Sequence, residues 1–547
     1  MLENPILRRE LTATLRRRRT LVLAAVYLTG LAGIVGALWP TEGVYSLAAQ
    51  ATRSVVLVFT VTQLLLVMLY APAFGATAIT SEKEQNSYEV LFTTRLGPLA
   101  IAAGKLGATV TTLLLFVALS FPVFAVCFFL GAVSVTEALA IYGITVLTAL
   151  LLGLLGLSVS AVKHTSHGAL VTTYLLILLL NAGPWIPFFI FQHSPEAGSV
   201  IHLLRAVSPV AAIASVVVPA FDAGVAAWKV YTVFAGVTTV ILWAVLVAAV
   251  RRGAREPVRA PAPITTDPKE LARRKLRFPF YLIDPQRRRG HIPDWLNPIF
   301  AKELRAKAFG GGIWIFRAAY LCLAVSLALM AAVAGNLAMQ SPDVIRTAAV
   351  VFQLGVIVLV VPSLTVGAVT QERERGNLDL LRQTRIGAGA FLTGKLLMAG
   401  LFVMVLVLSL APLWFCIYFL KTNTLPQILI AGAVLGATVV LAAATGLFSS
   451  AVAGTTAAAT GLAYGILAGL CVATLLPLLA VNNLSPAWRD AMLALNPFVT
   501  AIQGLATEFF GESRELWRTH VAFALSLSGL FLLIAALRVW RMLSPER

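Results

Sequence analysis

Residues 55–84 read VVLVFTVTQLLLVMLYAPAFGATAITSEKE, and residues 347–374 read TAAVVFQLGVIVLVVPSLTVGAVTQERE. In each, an apolar run without Asp, Glu, Lys or Arg (55–79 and 347–369) leads into a short charged sequence. A run of 18 or more such residues is long enough to cross a hydrocarbon core of about 30 Å as a helix. In lipid the backbone must satisfy its own hydrogen bonds, so a helix is the natural spanning element. The alternating ten-residue pattern of a membrane β-barrel is absent. The two stretches are also related to each other: Thr80-Ser-Glu-Lys-Glu84 stands 290 residues before Thr370-Gln-Glu-Arg-Glu374.

That register extends in both directions. Thr94-Arg-Leu-Gly97 matches Thr384-Arg-Ile-Gly387, Gly104-Lys-Leu106 matches Gly394-Lys-Leu396, and Pro122, Gly156 and Tyr174 match Pro412, Gly446 and Tyr464. Upstream the offset is 293: Asn4-Pro-Ile-Leu-Arg-Arg-Glu-Leu11 returns as Asn297-Pro-Ile-Phe-Ala-Lys-Glu-Leu304. Chance does not hold one register over so many non-apolar positions. The fold expected is an all-α polytopic membrane protein with about 12 transmembrane helices, arranged as two parallel six-helix repeats. The apolar runs place spans at 21–38, 55–79, 106–131, 138–162, 168–191 and 226–250. The second set is 313–334, 347–369, 396–420, 426–452, 456–481 and 519–537. The units are then 1–250 and 297–547, separated by a basic, Pro-containing linker at 251–296.

Composition agrees. The 547 residues are 59% hydrophobic and 12% charged, against about 25% charged in an ordinary soluble domain. The net charge of +18 would suggest nucleic acid in a soluble chain. Here its placement matters more. With the N-terminus inside, 33 of the 42 Lys and Arg fall in the inner segments and eight in the outer ones, with Arg317 near the start of the seventh span. The positive-inside rule therefore favours cytoplasmic N- and C-termini in a cell membrane, and contact with membrane lipids rather than nucleic acid. The cysteines Cys127, Cys322, Cys416 and Cys471 fall within spans and lack metal-ligand spacing.

Each copy opens with a helix start. Asn4 and Asn297 are good N-caps, and Pro5 and Pro298 sit at the favoured first position. Leu7, Leu11 and Leu15 recur at four-residue spacing, as do Phe300, Leu304 and Ala308, with Glu10 and Glu303 at matched places. The pattern predicts an amphipathic interfacial helix before each first span. In the connection after each second span, acidic residues precede a compact apolar helix. Tyr88, Leu91 and Phe92 share one face, as do Leu378, Leu381 and Arg382. Glu82, Glu84 and Glu89, or Glu372, Glu374 and Asp379, suit the start of that segment. Arg95 or Arg385 suits its end.

The run Glu-(Lys/Arg)-Glu, a short helix with Val-Leu or Leu-Leu, then Thr-Arg-(Leu/Ile)-Gly and Gly-Lys, resembles the ABC-2 type transporter permeases. Copy two fits more fully, through Gly376, Asn377, Leu378, Asp379, Leu380 and Leu381; copy one departs at Asn86 and Ser87. The resemblance implies that 82–98 and 372–388 are coupling helices docking onto ATPase subunits, two per chain, and that the protein is an exporter permease. Glu82, Glu84, Glu89, Arg95, Glu372, Glu374, Asp379 and Arg385 would then face the ATPase. On that reading, replacing Glu84 or Glu374 with Lys uncouples the ATPase and leaves insertion intact.

No Gly-x4-Gly-Lys-(Ser/Thr) occurs, so the chain is expected to be no enzyme and to bind no cofactor; ATP would be used by a partner. His-Glu-x-x-His and Gly-x-Ser-x-Gly are absent too. An ion-coupled carrier of six-plus-six design, or a non-transporting scaffold, remain as alternatives. The first usually carries ionisable residues inside its spans, which are scarce here. Ser208-Pro209 and Asn496-Pro497 predict short helices in the long fifth-to-sixth connections.

Overall fold

Apolar runs become helices throughout the computed structural model. It describes residues 4–16, 18–37, 48–85, 87–93, 96–129, 133–185, 187, 198–218, 221, 226–253, 296–304, 319–320, 322–324, 326–327, 342–384, 386–412, 414, 425–475, 486–505 and 516–544. Among these residues there is no strand. Nine helices among the described residues are long and apolar enough to cross a membrane, and the protein is a multi-pass membrane protein of all-α class.

Contacts group the chain into two units, residues 1–256 with 464–496, and residues 257–463 with 497–547. The first contains α1 (Pro5–Leu15), α2 (Arg18–Ala37), α3 (Ala48–Gly75), α4 (Thr80–Glu84), α5 (Tyr88–Thr93), α6 (Pro98–Leu119), α7 (Phe121–Phe129), α8 (Val135–Val162), α9 (Ser166–Ala182), α10 (Gly198–Arg205), α11 (Pro209–Val217) and α12 (Ala227–Gly253). In the second are α13 (Pro298–Glu303), α14 (Pro342–Thr365), α15 (Thr370–Glu374), α16 (Asn377–Arg382), α17 (Ala388–Ser409) and α18 (Leu425–Val452). Next come α19 (Thr456–Cys471), which runs from the second grouping into the first, and α20 (Pro486–Ala494), which lies in the first. α21 (Pro497–Leu505) and α22 (Leu516–Leu543) complete the second unit.

Within the first unit α8 is central, packing on α3, α6, α11 and α12, while α1 lies along α6. Within the second, α18 packs on α14, α21 and α22, and α13 lies along α17. Aromatic side chains fill the first core. Tyr27, Phe59, Tyr70, Phe116 and Phe124 are buried together, with the Tyr27 ring edge-on to Phe116 at 5.5 Å between centroids. The outer helices are held on one face only. Val233, Val237, Val240 and Ile241 on α12, and Leu525, Leu530, Leu533 and Leu537 on α22, are exposed. Apolar stripes of that length suit lipid.

Several expected spans differ in detail. The run at 106–131 begins earlier, at Pro98, and is divided at Ser120 into α6 and α7. In the fifth span the helix α9 ends at Ala182, and the described part of the eleventh ends in a short turn of 3₁₀ helix at Ala473–Leu475. The short helices predicted after Ser208 and Asn496 are α11 and α21, each with Pro at its first position, where no amide donor is needed. The opening helix α1 meets α2 at a bend of 65°. The seventh span at 313–334 lies mostly outside the described residues, as do 254–295 of the linker.

Candidate functional site

The shortest helices carry the densest chemistry. α4 has five residues, too few to be stable alone, and its charged side chains tie it to four neighbours. Glu82 Oε1 sits 2.8 Å from Lys105 Nζ on α6 and 2.8 Å from Arg9 Nη2 on α1. Lys83 Nζ donates to the carbonyls of Ser160, Ala161 and Lys163, the unsatisfied end of α8. Glu84 accepts from the amide and hydroxyl of Ser166 at 2.8 and 2.6 Å, capping α9. Ser160 Oγ returns the contact, accepting from the amides of Ile79 and Thr80 at 3.0 Å each.

α15 repeats the arrangement. Glu372 Oε1 lies 2.9 Å from Lys395 Nζ on α17 and 3.0 Å from Lys302 Nζ on α13. Arg373 donates to Ala453 O at 2.9 Å, and Glu374 accepts from the amide and hydroxyl of Thr456 at 2.7 Å each. Ser450 Oγ accepts from the amides of Val369 and Thr370 at 2.9 and 3.1 Å. The Glu-(Lys/Arg)-Glu triplet is therefore a three-way clamp, and Ser166 and Thr456 perform the same role.

The lysine at the centre of each clamp is buried: Lys105 is 2% exposed and Lys395 7%. Lys105 donates to Glu10 at 3.1 Å and to Ala78 O at 2.8 Å, and pairs with the Glu82 carboxylate. Lys395 is held between Glu372 and Glu303. A buried ammonium is tolerated because both carboxylates and their hydrogen bonds surround it. Burial pushes the Glu10 carboxyl up, but Lys105 and Arg9 outweigh it and hold it below its ordinary range. Nearby, burial and then the Glu82 charge push the Tyr88 hydroxyl up to about 12.

The helix openings complete the site. Asn4 Oδ1 accepts from Ile6 N at 3.0 Å, and its amide donates to Ala100 O at 2.7 Å in the first turn of α6. Asn297 repeats this with Ile299 N at 2.9 Å and Ala390 O at 2.7 Å. Each Asn thus caps one helix and pins it to another, with Pro5 and Pro298 at the first helical positions. The Gly of each Gly-Lys pair makes room. A Cβ at Gly104 would meet Asn4 and Ile6 atoms at 3.0 Å, and one at Gly394 would meet Asn297 and Ile299 atoms at 2.7 Å.

So Asn4, Pro5, Glu10, Glu82 and Glu84 converge in copy one, and Asn297, Pro298, Glu303, Glu372 and Glu374 in copy two. Their side chains bond within the chain, although Glu82 Oε2 is buried without a hydrogen-bond partner. Asp379 is not drawn in: its side chain is 77% exposed, with Arg382 at 3.0 Å. Arg382 also donates to Met542 O at 2.7 Å, fastening α16 to the end of α22. Gly376 adopts φ 69°, turning the chain between α15 and α16. The outward face of α5 presents Val90, 61% exposed, and that of α16 presents Leu380, 63% exposed. The Glu89 side chain, Arg95 and Arg385 lie outside the described residues.

Sequence reasoning passed over Lys105 and Lys395 as site residues, and with them Arg9, Lys302, Lys83 and Arg373. One signal was available: in an apolar chain, a basic residue heads the third span in both copies. Among the described residues no three His, Cys, Asp or Glu side chains converge as a metal site would require. No family model matches this chain, and no curated protein does.

Proposed function

We propose that the chain is the membrane permease of an ABC-2 type transporter, driven by ATPase subunits that are separate polypeptides seated on α5 and α16. The positive-inside distribution supports a cytoplasmic position for both helices, and the resemblance of the two loops supports export. The observation that carries the reading is the duplicated clamp. Each copy uses its buried charges to hold a platform from which one short helix presents an exposed apolar side chain, Val90 or Leu380. A charged loop that only separated two spans would need no such support in both copies.

The partner-facing residues are then revised relative to the motif. Val90, Asp379 and Leu380 form the docking face, and Glu82, Glu84, Glu372 and Glu374 hold it in place. Isolation of the affinity-tagged full chain from its native membrane should bring down an ATP-hydrolysing subunit with a P-loop and an ABC signature, about two per chain. Val90→Asp and Leu380→Asp together should lower its recovery at least tenfold while the membrane level of the chain stays unchanged. Absence of an ATP-hydrolysing partner, or recovery unaffected by both substitutions, would overturn the assignment.

A further inference from the structure

Opposite charges converge at one end of each unit from segments 23 to 95 residues apart in sequence. In copy one these are Arg9 and Glu10 on α1, Glu82 on α4 and Lys105 on α6. In copy two they are Lys302 and Glu303 on α13, Glu372 on α15 and Lys395 on α17. A buried ion cluster is a poor device for stability alone, because desolvation offsets much of the attraction and well-packed apolar side chains of similar volume do as well or better. What it does impose is geometry: the ammonium must keep both carboxylates within hydrogen-bond distance or be left buried and unpaired.

We infer that Lys105 and Lys395 are positioning residues that lock α1, α4 and α6, and likewise α13, α15 and α17, into single blocks that carry a displacement of α5 or α16 to the opening helix and the third span. The inference rests on the function proposed above for what the displacement serves. The mechanical claim stands apart from it. Three links surround the docking helix. α5 follows α4 within four residues, α4 is bound to α1 and α6 through Lys105, and Asn4 binds α1 to the first turn of α6 at 2.7 Å. The Ser87 amide donates to Glu82 O at 2.9 Å just before α5, so a push that reaches α4 is passed to α1 and α6 through Lys105 and Asn4. In copy two the Asn377 amide donates to Glu372 Oε2 at 2.8 Å, so α16 itself is tied to the locked carboxylate.

The test replaces the ions and keeps the volume. In the full chain, with the four cysteines changed to alanine and spin labels introduced at Leu15→Cys on α1 and Val90→Cys on α5, the parent should give a narrow interlabel distance distribution in phosphatidylcholine vesicles. The triple variant Glu10→Leu, Glu82→Leu, Lys105→Met should insert normally and broaden that distribution at least twofold. Lys105→Arg, which keeps a cation between the carboxylates, should leave it narrow. A triple variant as narrow as the parent overturns the inference, as does an equal broadening in Lys105→Arg. This readout needs no ATPase, so its failure is distinguishable from failure of the proposed function. With the co-purified ATPase present, the same triple variant without labels should retain the partner and lose at least tenfold of ATPase stimulation. Unchanged stimulation would likewise overturn it.

Discussion

Gly394 and Lys395 entered the sequence reading as a two-letter motif, and each now has a separate physical cause. The glycine is required because Asn297 and Ile299 pass where a Cβ would stand, and the lysine because two carboxylates meet there. The glycine makes a direct prediction. Gly394→Ala forces backbone or side-chain movement against α13 and should cost about 1–3 kcal/mol, as overpacking does. Gly436→Ala, with open space around it, should cost nothing measurable. Thermal unfolding of the two variants in the same detergent decides between them. Glu10 offers a second test at this scale. Its carboxyl is held below its ordinary value of 4.5, so the stability it contributes is fully present above that value and is lost as pH falls through the lower folded pKa. Glu10→Gln should therefore remove part of the acid transition of α1 below pH 4.5 and leave its pH dependence from 5 to 7 unchanged, read by hydrogen exchange. None of these pairings could be read from spacing. Glu10 and Lys105 are separated by nearly a hundred residues, and no local periodicity relates them.

Elements were more legible than contacts, for a reason visible in α11 and α21. A Pro at the first helical position after Ser or Asn is a local signal, complete within three residues, and both helices begin where it stands. The long spans were legible because apolar length is also local. Their ends were less so: the division at Ser120 stands just before Pro122, which cannot continue the helical ladder, but the contacts of the Ser120 hydroxyl with Gln63 and Tyr142 come from other helices. The clamp helices α4 and α15 lie between these cases. Their charges marked them as special, while the direction of those charges followed from packing. This changes the expectation for Glu84→Lys and Glu374→Lys. Each removes two cap bonds and puts an ammonium at the N-terminus of α9 or α19, an unfavourable end for a cation. Each should destabilise the first turn of that helix by about 1–2 kcal/mol, seen as faster hydrogen exchange after Ser166 or Thr456. Normal exchange there would show that the cap is dispensable.

For the molecule as a whole, helix length has a consequence that the packing does not state. α8, α18 and α22 each run for 28 residues, which is about 42 Å at about 1.5 Å per residue, against a hydrocarbon core of about 30 Å. The surplus is about two turns, and the clamp binds the last turn of α8. Spin labels at Val146 and Val162, both exposed positions on α8, should separate accordingly. The first should collide with dissolved oxygen as hydrocarbon residues do, and the second with a water-soluble nickel complex. A hydrocarbon signature at Val162 would contradict this placement. If the clamp occupies the headgroup layer, bilayer thickness becomes a variable of the protein's own energetics. A membrane thickened by a few ångströms would draw the lysine joints toward oil, where an ionised cluster is costliest. Hydrophobic mismatch would then act on this chain through its charges, and the membranes in which it can work would be sorted by where Lys105 and Lys395 come to rest.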